Sequence, residues 1–157
     1  MPVPVKLGGR RIAVAIDEED QAQSANEEVA RRGRLHAGMS VFDMSDYANV
    51  KPLSLFEVSE LDSPFARTPG ARFGAHQFHE RMAGTLVFAV WFSAGLRVVD
   101  LADPSSPREV GFFIPDPAGG KPAPQSNDVM LDQRGLIYVV DRHVGFDVLE
   151  FDGARIA

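Results

Sequence analysis

The segment His76-Gln-Phe-His79-Glu80 holds the side chains best suited to chemistry in this sequence. Two imidazoles and a carboxylate are ligands for Zn, Fe, Mn or Cu, and they also bind small molecules by hydrogen bonds. The segment is predicted to be a short strand, on which residues three apart point to opposite faces. His76 and His79 therefore reach a single ion only through a bulge or turn. Two interpretations stay open, a metal or ligand site and a structural hydrogen-bonding role.

Charged side chains follow two other predicted strands at corresponding places. The acidic run 17–20 comes after one strand, and the pair Asp141-Arg142 comes after the matching strand of a later unit. We expect both segments on the same rim of the molecule, where Glu18 could share a metal site with His76. The alternatives are a solvated loop for the acidic run, and an ion pair or turn-capping carboxylate for Asp141 and Arg142.

These side chains are positioned by a repeated pattern that begins at Gly38, Gly95 and Gly145. Each copy reads glycine, large apolar, polar, Val, apolar, acid, large apolar, and each follows a separate β-like run. The spacings, 57 residues (38 to 95) and 50 residues (95 to 145), are slightly longer than a β-propeller blade. Units of this kind cannot bury their apolar faces alone, so they must stack on a shared core. The recurring acid is expected to make a structural turn or inter-strand hydrogen bond at Asp43, Asp100 and Glu150.

Strand-like segments joined by short turns recur around each copy of the pattern. The middle unit supplies four strands, at about 75–80, 86–92, 96–101 and 108–114. The first unit supplies 2–7, 12–16, 39–44 and 53–58, and the last supplies 127–131, 136–140 and 146–151. The predicted fold is therefore all-β, a single partial β-propeller domain of about three four-stranded antiparallel blades. The predicted blades span about 1–60, 72–115 and 125–152, and the last lacks its outer strand.

Two segments depart from this plan. Residues 17–34 form a polar insertion rich in Glu, Gln, Ala and Arg, which is predicted to be either a short helix or a loop. Residues 115–124 contain several prolines and glycines and are predicted to be a connector without a core of its own.

Composition narrows the classes of partner. With 16 basic and 22 acidic residues the net charge is −6, so nucleic acid and anionic membrane surfaces are not expected as partners. The absence of cysteine excludes disulfides, thiolate metal sites and cysteine nucleophiles. No apolar run approaches the roughly 18 residues of a membrane span. Basic residues interrupt 1–16, so no signal peptide is visible and the compartment stays open.

Four segments, 70–80, 91–104, 125–129 and 135–142, together resemble the LVIVD-repeat β-propeller proteins, in particular the C-terminal portion of that family. Val98-Val99-Asp100 and its counterparts match the repeat for which the family is named, and the resemblance covers about residues 1–152. It implies a propeller of about seven blades and, for most members, no established activity. A more distant similarity links such repeats to the selenium-binding and methanethiol oxidase propellers, which use histidines near the central channel for metal. Their motifs do not match here residue by residue, so no site is transferred.

The inner strands of a propeller line its central channel, and polar residues recur at their predicted positions. Asn127-Asp128 opens the last inner strand at the place that His76 occupies in the preceding unit. Such side chains could bind a ligand in the channel, or bond only to water and neighbouring backbone. The candidate ligand-binding residues are His76, His79, Glu80, Asn127, Asp128, Asp141 and Arg142, and the candidate metal ligands are His76, His79 and Glu18.

Two functions follow from these candidates. The first is a binding or scaffold module of the LVIVD-repeat type, whose ligand is a small molecule or a protein. The alternative is a metal-dependent propeller enzyme, an oxidoreductase or hydrolase, with a divalent transition metal in a channel site around His76 and His79. No phosphate-binding loop, nucleophile elbow or HExxH motif occurs, so no catalytic residue is assigned.

Three blades do not close a ring, and open sheets leave strand edges without partners. From this we expect residues 1–157 either to be part of a longer propeller, which supplies the missing blades, or to form a homo-oligomer.

Overall fold

The computed structural model describes residues 3–19, 35–143 and 145–153. These residues form eleven β-strands and one short 3-10 helix, Glu60–Asp62, and they contain no α-helix. The strands make three antiparallel sheets of four, four and three strands, which confirms the predicted all-β class. Of the insertion 17–34, residues 20–34 lie outside the described residues. The predicted connector has no strand between residues 114 and 125.

Each sheet is a meander in which consecutive strands are neighbours. The first sheet contains β1 (Val3–Leu7), β2 (Arg10–Ile16), β3 (Met39–Asp43) and β4 (Lys51–Phe56). The central sheet contains β5 (Ala75–Phe78), β6 (Leu86–Trp91), β7 (Gly95–Asp100) and β8 (Arg108–Phe113). The third sheet contains β9 (Ser126–Leu131), β10 (Ile137–Asp141) and β11 (Phe146–Leu149).

The central sheet is covered on both faces, which explains the nearly continuous apolar sequence of β6. Side chains alternate along this strand, so Val87, Ala89 and Trp91 pack against the first sheet. Phe88 and Val90 pack on the opposite side, against the third sheet. The described residues therefore form two apolar layers, one between each pair of neighbouring sheets, and Trp91 is fully buried in the first.

The repeated glycine marks a close approach of two strands. Gly95 begins β7 with a φ of +74°, and a Cβ atom built there would lie 2.2 Å from the carbonyl oxygen of Phe113 on β8. At Gly38, just before β3, a Cβ atom would lie 2.7 Å from the carbonyl oxygen of Phe56 on β4. Only glycine leaves room for the fourth strand at this point of the first two sheets.

The recurring acid closes a turn after the third strand, as predicted, at two of its three positions. Asp43 Oδ1 accepts the backbone N–H of Ser45 at 2.8 Å, and Asp100 Oδ1 accepts that of Ala102 at 2.9 Å. A hydrogen bond from the Thr85 side chain, together with the Ala102 amide, lowers the pKa of Asp100 below its ordinary value. These carboxylates are structural parts of the repeat.

Acidification should therefore destabilise the protein partly through Asp100. Because its pKa is lower in the folded state, its contribution is complete above the unfolded-state pKa of about 3.9 and is lost as the pH falls through the folded value. In urea unfolding at pH 6 and pH 3, Asp100→Asn should lose less stability on acidification than the wild type. An equal loss in the two proteins would contradict this role.

Within the described residues, no helix has the length and apolar character needed to span a membrane.

Candidate functional site

One position, at the end of the second strand of each sheet, is repeated three times around a common centre. Ile16, Val90 and Val140 each pair with the residue that follows the repeated glycine. Two residues beyond them, in the same order, lie Glu18, Phe92 and Arg142. The three equivalent positions thus carry an acid, an aromatic ring and a base. These three side chains lie close to one another.

The Phe92 ring is the hub of this convergence. It is fully buried. The Arg72 guanidinium carbon lies 4.1 Å from its centroid, and that of Arg142 lies 6.0 Å away. The His76 ring lies 4.5 Å from it at a tilt of 39°. Cations over a ring face are held by its quadrupole, so Phe92 fixes two positive groups beside one imidazole. We call the following set the inner-end cluster: Glu18, Arg72, His76, Phe92, Asn127 and Arg142.

His76 reaches the cluster through a bulge. The pairing of β5 with β6 shifts between Ala75 and Gln77, and this leaves His76 as the extra residue. Its Nδ1 lies at hydrogen-bond distance from the Asn127 carbonyl oxygen, which can only accept, so Nδ1 carries a proton. Nε2 faces Glu18, whose Oε1 is 3.6 Å away. In the tautomer with the proton on Nδ1, the Nε2 lone pair is therefore available to accept a hydrogen bond or to bind a ligand.

Arg72 joins the first sheet to the central one at the base of the cluster. Its side chain is 8% exposed, and Nη2 donates to Glu18 Oε1 at 2.9 Å and to the Glu19 carbonyl oxygen. Its Nε is buried and has no hydrogen-bond partner among the described residues. Glu18 is 55% exposed and Arg142 is exposed. Solvent therefore reaches the cluster at one acidic and one basic side chain.

The loop after β10 holds Arg142 in place. The two carboxylate oxygens of Asp141 accept the backbone N–H groups of Gln125 and His143, each at 2.7 Å. Arg142 donates its N–H to the Gln125 carbonyl and its Nε to Asn127 Oδ1, at 2.9 and 3.2 Å. Asp141 thus acts as the predicted turn-capping carboxylate, whereas Asn127 and Arg142 belong to the cluster.

The remaining predicted site residues lie elsewhere. His79 Nδ1 accepts the N–H of Leu131 at 3.4 Å, whereas His76 contacts the other end of β9 at Asn127. Glu80 and Asp128 are exposed, and Asp128 Oδ1 accepts the N–H of Val129. In the described part of the chain, no three His, Asp or Glu side chains are grouped so that they could hold a metal ion.

Glu19 belongs to the acidic run 17–20, for which a solvated loop was one interpretation, but it is buried and ties the start of the insertion to the first sheet. Glu19 is fully buried, with Oε1 2.7 Å from His36 Nδ1 and Oε2 accepting the Ala37 N–H at 2.9 Å. His36 Nε2 lies 3.0 Å from Glu60 Oε1, so the imidazole bridges two carboxylates. This network fixes the backbone that carries Glu18, and we call it the Glu19 network.

Two cluster residues were missed for different reasons. Phe92 is fully buried, as expected of an aromatic residue in an apolar run, and it stands three residues before Gly95 just as Arg142 stands three before Gly145. This equal offset was a usable signal. Arg72 lies outside the repeated pattern, and nothing in the sequence links it to Glu18, 54 residues earlier.

A scan against protein-family models found no match, and a comparison with curated proteins found none either. The functional proposal therefore rests on the sequence repeat and on the geometry of the inner-end cluster.

Proposed function

We propose that this chain is a binding module of the LVIVD-repeat β-propeller type, and that its ligand binds at the inner-end cluster. The repeated pattern and the three stacked meanders support the propeller interpretation. One observation carries the functional part, namely that equivalent strand ends of three sheets present Glu18, Phe92 and Arg142 to one centre. A purely structural repeat would be expected to keep one residue type at such a position, whereas a binding site needs different chemistry from each sheet.

The side chains favour a small ligand with an acidic group. Arg142 is exposed, and a guanidinium binds carboxylate or phosphate oxygens in a planar, two-point arrangement. His76 Nε2 supplies a further polar contact beside it, and the exposed part of Glu18 can accept a hydrogen bond from a hydroxyl or amine of the same ligand. The proposed ligand therefore carries an anionic group for Arg142 and a donor group for Glu18.

A metal-dependent propeller enzyme is the second candidate, and one observation favours it. His76 Nδ1 is engaged by a backbone carbonyl, an arrangement typical of histidines that bind metal through Nε2. Glu18 Oε1 is the nearby carboxylate oxygen, and the described residues supply no third ligand of this kind. The geometry therefore supports binding of an organic acid better than a protein-built metal centre.

Replacing Arg142 should reduce the stabilisation by acidic ligands to about a third or less of its wild-type value. With acetate or inorganic phosphate at ten times its Kd, we expect the wild-type melting temperature to rise by about 4 °C. Arg142→Gln removes one charge-assisted contact and should weaken binding about tenfold or more. The exposed Arg81 supplies a matched control, since Arg81→Gln should respond like the wild type. Equal shifts in all three proteins would indicate a general salt effect and contradict the proposed site.

Elemental analysis separates the two candidates. The binding-module proposal predicts no stoichiometric Zn, Fe, Mn or Cu in protein purified without chelator, and an unchanged metal content in His76→Ala. Stoichiometric metal in the wild type that is lost in His76→Ala would establish the enzyme candidate instead.

A further inference from the structure

The third sheet has one strand fewer than the other two. β4 and β8 are the fourth strands of the first two sheets, whereas β11 pairs with β10 alone among the described strands. The outer edge of β11 can therefore accept an added strand through its backbone N–H and C=O groups. Two side chains of this strand, Phe146 and Val148, are 62% and 50% exposed. We call this edge, together with these two side chains, the β11 edge.

The two fourth strands pair with their neighbours in the same register. Each begins with a base opposite the recurring acid, Lys51 opposite Asp43 and Arg108 opposite Asp100. Each ends with a phenylalanine opposite the residue that follows the repeated glycine. Both pairings also shift at the same step, after the third residue beyond that glycine, so that each fourth strand holds one extra residue. The shared pattern is base, any residue, aliphatic, small, apolar, Phe, as in Lys51-Pro-Leu-Ser-Leu-Phe56 and Arg108-Glu-Val-Gly-Phe-Phe113.

The base and the phenylalanine of these strands make defined contacts. Arg108 Nη2 lies 3.5 Å from Asp100 Oδ2. Phe56 packs edge-on against Trp91, with 5.7 Å between the ring centroids. Phe113 packs against the apolar layer between the central and third sheets. A fourth strand is thus held at one end by charge and at the other by an aromatic side chain, in addition to its backbone hydrogen bonds.

The β11 edge offers the same features to an added strand. Glu150, the recurring acid of this unit, is exposed. A phenylalanine opposite Phe146 would lie on the same face of the sheet and cover part of the exposed ring. At Gly145 an added Cβ atom would have nothing within 4 Å, and a cavity of about 390 Å³ opens beside this residue. There is therefore room for the end of a strand that, in the other two sheets, crowds the repeated glycine.

We infer that the β11 edge binds an extended segment with this six-residue pattern. The segment runs antiparallel to β11, with its base opposite Glu150 and its phenylalanine opposite Phe146. No third copy of the whole pattern occurs in residues 1–157, so the segment comes from outside them. This inference depends on the pairing within the described sheets and not on the ligand proposed for the inner-end cluster.

A labelled synthetic peptide with the sequence of residues 106–114 tests this by fluorescence anisotropy with the wild-type protein. We expect saturable binding, and no binding of a scrambled peptide. Alanine in place of the phenylalanine equivalent to Phe113 should weaken binding tenfold or more, because aromatic anchors dominate such interfaces. Glu150→Lys should weaken binding about fivefold, and a peptide with Glu in place of its Arg should restore it. Glu57→Lys, at an exposed acid of the first sheet, is the matched control and should bind like the wild type.

N-methylated peptides test strand pairing without any change to the protein. Methylation of the alternate amides that face β11 should abolish binding, whereas methylation of the intervening amides should not. Hydrogen exchange should show protection of the outward amides of β11 only when the peptide is bound. The inference would be overturned by equal binding of the scrambled peptide, by equal effects of the two methylation patterns, or by the absence of saturable binding. Protection of the outward β11 amides before peptide is added would also overturn it, since the edge would then already be covered.

Discussion

Replacing Glu19 with alanine should destabilise the protein by about 3 kcal/mol or more, a large part of the stability of a typical domain. The carboxylate is fully buried and holds both His36 and the Ala37 N–H. Without it two charge-assisted hydrogen bonds are lost, and their donors, in partly buried residues, are left without this partner. Urea unfolding at pH 7 measures the loss.

The environment of Glu19 also explains why Gly74 is glycine, since a Cβ atom there would lie 2.0 Å from Glu19 Oε2. Glu19→Gln keeps the shape but removes the charge, and should cost less than the alanine variant. Glu57→Ala removes an exposed carboxylate nearby and should change stability by less than about 0.5 kcal/mol. If Glu19→Ala unfolded at the same urea concentration as Glu57→Ala, the Glu19 network would have no role in stability.

Gly95→Ala should lower the free energy of unfolding by a comparable amount, about 3 kcal/mol, because two unfavourable effects coincide at this residue. A left-handed backbone, with a φ of +74°, is unfavourable for alanine. The added methyl also meets the Phe113 carbonyl oxygen at 2.2 Å and the Ile114 Cα at 2.8 Å. Relief of this overlap requires β8 to move away from β7.

Alanine substitutions at two other glycines measure the backbone strain and the steric overlap separately. Gly84 has a φ of +64° with nothing within 4 Å of an added Cβ, so Gly84→Ala should show the backbone cost alone, about 1 kcal/mol. Gly38 lacks the left-handed φ but meets the Phe56 carbonyl oxygen at 2.7 Å, so Gly38→Ala should show the overlap alone. In thermal unfolding, the melting temperature of Gly95→Ala should be lower than that of either of the other two variants. A Gly95→Ala protein as stable as Gly84→Ala would contradict the close approach.

Much of the order and position of the strands could be predicted, because these features depend on residues that are close in sequence. The two-residue alternation in β6 and β7, and the glycine that precedes the apolar-polar-Val pattern, depend on backbone geometry alone. The turn role of Asp43 and Asp100 was visible for the same reason, since each bonds to an amide two residues away. Glu18 and His76, which one interpretation of the sequence placed in a shared site, lie 3.6 Å apart at Oε1 and Nε2.

The rest of the site could not be predicted because it depends on tertiary contacts. The bulge at His76 depends on how β5 pairs with β6, and no residue type in the segment indicates it. The Glu19 network joins groups 17 and 24 residues apart, and Arg72 reaches Glu18 across 54. The pairing of His76 with His79 as metal ligands was drawn from their closeness in sequence, whereas in the structure they contact different ends of β9.

The most direct test of the proposed ligand site is a backbone NMR map of the wild-type protein titrated with acetate and with inorganic phosphate. We expect saturable shifts that are largest at the amides of the inner-end cluster, above all Glu18, Phe92 and Arg142, because these three sheet ends form one site. Shifts at Arg81 and at the third-sheet residue Val148 should stay small. Shifts spread over the basic surface without saturation, or centred away from Phe92, would contradict the claim that this cluster is the ligand site.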